Sequence, residues 1–164
     1  MRTYLLDPCS REGMQDRVFD GPYGVIREVL SEKNAQAHTY DISELGSADG
    51  ILFCNHNAQL LRESLEAGVA RRRLSLLLFE PPSVIPSQYD PSVWESYGRV
   101  FTWNDDLVDN KHFFKLRYPQ GQTLRTSLLP FAERKFLIMV NANKYSYVSG
   151  EGYSYRRSAI RYFD

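Results

Sequence analysis

The chain has 164 residues, 43% of them hydrophobic and 13% aromatic, which suits one globular domain or one domain and the opening of a second. Twenty Lys and Arg balance twenty Asp and Glu, so no global field points to nucleic acid or to an anionic membrane. Cys9 and Cys54 stand in separate segments without zinc-ligand spacing or a disulfide framework, and no apolar run reaches the ~20 residues that span a bilayer.

The start, MRTYLLDPCSRE, lacks the apolar length and the small-residue cleavage site of a signal peptide. The expectation is a cytoplasmic protein, with peripheral membrane contact left open. TYLLD (3–7) reads as a strand, and GVIREVLSEKN (24–34) as a helix carrying Val25, Ile26, Val29 and Leu30 at helical spacing. AHTYDI (37–42) reads as a second strand. DGILFCN (49–55) is a third, its continuous apolar run suited to burial on both faces, with Cys54 as a small buried hydrophobe. AQLLRESLEAGVARRR (58–73) is the strongest helix, with Leu60, Leu61, Leu65 and Val69 on one side and Arg71–Arg73 complementing the dipole at its end. LSLLLFEPP (74–82) is a fourth buried strand, stopped by two prolines, and RVFTWN (99–104) is a fifth.

Residues 105–134 have weak periodicity and read as an irregular stretch ending in a linker near Pro130–Arg134. KFLIMVN then begins a fresh strand, followed by a polar loop and an opening helix. The boundary falls at about residue 132, and the chain stops inside this second α/β unit. Residues 1–132 are expected to form a Rossmann-like α/β domain, a parallel sheet with flanking helices, and 133–164 the incomplete start of another.

In such sheets ligands bind beyond the carboxyl ends of the strands. That rule selects Asp7–Pro8, Asn55–His56, Glu80–Pro81 and Asn104–Asp105. Glu80 closes a buried strand and can serve as a general base or simply order the loop that follows. His56 can donate to a ligand oxygen or bond the local backbone. The three histidines lack metal-ligand spacing. Arg156, Arg157 and Arg161 stand in the first turns of the last helix, where free N–H groups and guanidinium ions favour a diphosphate; a solvated basic face is the plainer reading. The preceding loop has neither GxGxxG nor GxxxxGK[ST].

Three stretches together resemble family 10 glycosyltransferases, the fucosyltransferase-like group. They are LLLFEPPSVIPSQYD (76–90), VFTWNDDLVDNKHFFKLRYP (100–119), and KFLIMVNANK with EGYSYRRSAIRYFD (135–144 and 151–164). The resemblance spans roughly residues 75–164. The chain departs from it at Pro81, where many members have Ser, and at Gly152, where Leu is expected. After Trp103, Asn104, Asp105 and Asp106 replace the Tyr-Arg of many animal members.

The resemblance implies a GT-B architecture. Residues 1–132 would be the acceptor-side domain and 133–164 the start of the donor domain. The implied reaction is inverting transfer of fucose from GDP-fucose to a glycan hydroxyl, with no cofactor and no metal required. Glu80 matches the base, Arg156 or Arg157 the arginine that neutralises the diphosphate, and Asn143 the asparagine closing the donor domain's first strand. His56 and Trp103 are acceptor-side candidates. With the donor side cut short, little or no transfer is expected of these residues alone. A non-catalytic module holding a glycan or a partner, and an unrelated flavodoxin-like domain, are the alternatives.

Overall fold

Short runs, the central ones rich in Leu and Ile, stack side by side and all point the same way. In the computed structural model, which describes residues 1–117, 128–136 and 144–163, six strands form one parallel sheet in the order β2-β1-β3-β4-β5-β6. They are β1 (Arg2–Asp7), β2 (Ala35–Thr39), β3 (Gly50–Cys54), β4 (Leu74–Leu78), β5 (Arg99–Thr102) and β6 (Phe113–Lys115). Register runs from Tyr4 opposite Gly50 to Asp7 opposite Phe53, and from Ile51 opposite Leu74 to Cys54 opposite Leu77.

Neighbouring residues along each central strand serve opposite faces, as the period of two requires. Leu5, Phe53 and Leu76 join one core with Leu60 and Leu61 of α2 (Ala58–Glu66), against which Val93 and Trp94 of α3 (Pro91–Trp94) also pack. Leu6, Cys54 and Leu77 join the other core with Leu30 of α1 (Gly24–Glu32). This is the α/β parallel architecture expected of the sequence. Cys54 is buried within it, as its apolar run implies. Among the described residues no helix is long and apolar enough to cross a membrane.

Several boundaries differ from expectation, each for a local reason. The second strand ends at Thr39, and Tyr40–Ile42 turn as a single 3-10 segment. The helix begun at Ala58 stops at Glu66. Gly68, at φ 80°, takes the left-handed position after the helix, and the N–H groups of Gly68 and Val69 close on the carbonyls of Leu65 and Ser64. Val69 is buried beyond the helix rather than on it, and Arg71–Arg73 form a separate turn. Within the stretch read as irregular, the Asp109 carboxylate accepts from the N–H groups of Lys111, His112 and Phe113. These bonds hold its pKa down to about 2 and fold the chain into β6 beside β5. Of the expected strand KFLIMVN, Lys135 and Phe136 are described and are not in a strand; the remainder lies outside the described residues. The last helix forms as α4 (Tyr153–Phe163), with no buried residue.

One cluster fixes the long loop between β1 and α1. Asp16, at φ 63°, accepts from the Thr39 N–H at 2.7 Å, lies 2.9 Å from His38 Nδ1 and pairs with Arg27. Burial pushes the Asp16 carboxyl up, but the Thr39, His38 and Arg27 contacts outweigh it and hold the pKa below its usual value. A depressed folded pKa contributes stability above the unfolded value of ~3.9 and loses it as pH falls through the folded value. Asp16→Asn keeps the left-handed turn accessible and removes the charge. It should cost about 1 kcal/mol at pH 7, given the partial exposure of the site. Urea denaturation across pH should show the difference vanishing in acid.

Candidate functional site

The order β2-β1-β3 means that the chain leaves β1 in one direction and returns on its other side, which opens a crevice beyond the carboxyl ends of β1 and β3. A cleft of about 450 Å³ lies there, lined by Asp7 at the end of β1 and Cys9 beyond it, by Asn55, His56 and Asn57 after β3, and by Arg11 from the loop that Asp16 secures. A larger apolar cavity of about 570 Å³ lies at the other end of the strands, against Gly50, Arg73 and Arg99 and along Val25 and Val29 of α1. Its walls are mostly apolar, with Asp49, Ser75 and three arginines as the polar exceptions, so the smaller polar cleft is the better site.

Two side chains fix the carboxyl ends of β3 and β4 to each other. Asn55, at φ 73°, accepts at Oδ1 from the N–H groups of Phe79 (3.2 Å) and Glu80 (3.1 Å). Gln88 is fully buried. Its Nε2 donates to the Glu80 carbonyl at 2.8 Å, and its Oε1 accepts from the His56 N–H at 3.2 Å. The Tyr89 hydroxyl donates to the same Glu80 carbonyl at 2.9 Å. Backbone polar groups buried here would be costly if unpaired, and these amides satisfy them. The result is a rigid frame joining His56 to Glu80. The Glu80 side chain is half-buried and makes no ion pair among the described residues.

His56 Nδ1 lies 2.8 Å from the Tyr97 hydroxyl. Burial lowers the imidazole pKa below its ordinary value, so the ring is neutral at pH 7. Burial, then the nearby Asp7 carboxylate, pushes the phenol of Tyr97 up and keeps it protonated. The neutral pair leaves Nε2 to bond a ligand hydroxyl. His56 borders both the crevice and a groove between α2 and α3.

Asp7 is 4% exposed. Asn57 serves it and the helix at once: Oδ1 caps α2 by accepting from the Leu60 N–H, and Nδ2 donates to Asp7 at 3.0 Å. Burial raises the Asp7 pKa more than the Asn57 and Cys9 bonds lower it. Cys9, exposed, and Cys54, buried, meet at the crevice floor, a pairing that their separation in sequence conceals. The neighbouring Cys54 thiol pushes the Cys9 thiol up.

The sequence-selected residues divide into groups. His56 and Glu80 are brought together by Asn55 and Gln88. Trp103 follows β5 at the same edge of the sheet, 37% exposed, its carbonyl accepting from Lys115 Nζ at 2.8 Å. Arg156 and Arg157 are exposed on α4, their guanidinium groups 5.5 Å and 5.3 Å from the rings of Tyr153 and Tyr145. At the start of α4 the Glu151 carboxylate accepts from the N–H groups of Tyr153 and Ser154, occupying the position read as an anion site. Asn143 lies outside the described residues. Asp7, one of the strand ends the rule selects, proves to be a buried member of the site, while Asn57, Gln88 and Tyr97 carry no signal in the sequence. Among the described residues no group of His, Cys, Asp and Glu could hold a metal ion.

Comparison of the chain with protein-family models, with curated proteins and with solved structures gives no match.

Replacing Gln88 by Ala strands the His56 N–H and removes one of two donors to the Glu80 carbonyl. We expect a loss of about 2–4 kcal/mol in chemical denaturation, the cost of breaking a buried polar junction and opening a void. Asp7 has the opposite sign to Asp16. A carboxyl whose folded pKa is raised loses stability as pH climbs from ~3.9 through the folded value. Asp7→Asn should therefore raise the denaturation midpoint at pH 7, with the advantage fading as pH falls toward ~4.

Proposed function

We propose that this chain is the acceptor side of an inverting glycosyltransferase of the fucosyltransferase type, a GT-B enzyme. On this reading residues 1–132 hold the glycan, and 133–164 open the donor side that takes a sugar nucleotide, GDP-fucose. The observation that supports it is the place of Glu80. A half-buried carboxylate follows a central strand, its backbone held by Asn55, Gln88 and Tyr89, its side chain outside every ion pair of the described residues.

Such a carboxylate can remove the proton from an acceptor hydroxyl as its oxygen attacks the anomeric carbon. The bond from that carbon to the diphosphate oxygen breaks on the opposite face, and the electron pair leaves with the diphosphate. Arg156 or Arg157, with Asn143 nearby in sequence, meets the developing charge. For the helix N–H groups to contribute, the diphosphate exchanges with Glu151 at the start of α4. His56 bonds an acceptor hydroxyl from the other end of the frame, and Trp103 offers a flat apolar wall to a sugar ring.

A second reading, a non-catalytic module for a glycan or partner, draws on the polar crevice itself. Asp7, His56 and Asn57 there suit hydroxyl groups without requiring a donor sugar.

The test uses Glu80→Gln in a chain that includes a complete donor domain, with GDP-fucose and a panel of glycan acceptors. Transfer should fall by about 10²–10⁴-fold, the usual contribution of a general base, with donor affinity unchanged. Unaltered transfer would remove Glu80 from the mechanism. Glycan binding with no transfer or donor hydrolysis by the parent protein would favour the second reading.

A further inference from the structure

Cys9, in the loop after β1, and Cys54, at the end of the adjacent β3, line the same cleft. Asp7 stands opposite Phe53 in the parallel register, which puts Cys54 level with Pro8, one residue from Cys9. Neighbouring strands lie about 4.8 Å apart, so the turn that carries Cys9 begins one strand spacing from the end of β3, on the scale of the Cα separation in a disulfide. The turn after β1 brings the side chains together. Cys9 adopts φ 61°, its N–H donates to Asp7 Oδ1 at 3.4 Å, and Asn55 Nδ2 donates to Cys9 Sγ at 3.5 Å. Asn55 is thus bonded to the exposed sulfur from the residue next to Cys54.

We propose that Cys9 and Cys54 are a reversible dithiol–disulfide site at the crevice floor, oxidised by thiol–disulfide exchange with a low-molecular-weight disulfide such as glutathione disulfide. Exposed Cys9 reacts first; buried Cys54 resolves. The Cys9 thiolate attacks one glutathione sulfur and expels the other glutathione as its thiolate. The Cys54 thiolate then attacks Cys9 Sγ of the mixed disulfide and expels the second. The protons lost by the two protein thiols end on the two glutathione thiols, so two electrons leave the protein as its disulfide forms. The bridge ties the loop after β1 to the end of β3 and fixes that wall of the cleft. It is independent of the transferase reading.

The raised Cys9 thiol makes the first step slow near neutrality. The experiment therefore incubates the folded chain with glutathione disulfide at about pH 8.5, where more thiolate forms. Intact mass and a peptide map follow the product. The expected result is a mass lower by two hydrogens, a cross-link between the peptides containing Cys9 and Cys54, loss of both free thiols and full reversal by dithiothreitol. Cys54→Ser should stop at the mixed disulfide, gaining one glutathionyl group on Cys9, and Cys9→Ser should stay unmodified while folded. A parent chain that accumulates a glutathionyl group on Cys9 without a cross-link overturns the proposal, as does one that keeps both thiols free.

Discussion

A parallel strand cannot return by a tight hairpin, so every connection that follows a strand in this sheet leaves from the same edge. The rest of the molecule follows from that constraint. The apolar runs of β1, β3 and β4 are consumed by two cores, and polar residues gather where those runs end. Asp7, Asn55, Glu80 and Asn104 come from four separate segments and share one rim. Nothing local to any of them creates the site; the common direction of the strands does.

The rim is stiffened by amides and destabilised by a carboxylate. Asn55 and Gln88 convert buried N–H and C=O groups into hydrogen bonds between neighbouring loops, so they stabilise the fold while fixing the spacing of His56 and Glu80. Asp7 works the other way. A carboxyl buried beside Asn57 costs stability when ionised, and a site kept at such a cost is where function is usually found. Asp16 offsets part of that cost from the opposite side of the same loop, with its charge matched by Arg27. The two aspartates border one segment and pull its pH dependence in opposite directions.

Much of this was legible in the sequence because continuous apolar runs report strands buried on both faces. TYLLD, DGILFCN and RVFTWN all mark strands to within two residues. Where the reading ran long, a periodic pattern outlasted the element. Val69 is in helical register with Leu65, yet Gly68 has already ended α2. β6 was hidden because its three residues carry no period; the Asp109 turn and pairing with β5 create it. The strand-end rule located His56 and Glu80. It was blind to Gln88, Tyr97 and the nearness of Cys9 to Cys54, since these depend on loops meeting across strands rather than on any pattern along one.

The second cavity, along α1, has a consequence for handling the protein. Val25 and Val29 are 52% and 45% exposed beside it, on a face covered more thinly than the other. The formal net charge is zero and the isoelectric point about 6.8. Near neutral pH there is therefore almost no electrostatic repulsion to oppose contact between such faces. Sulfate and phosphate, which strengthen apolar association, will salt this chain out early. A buffer well to the alkaline side of neutrality, with little of either ion, is the condition in which it should stay dispersed.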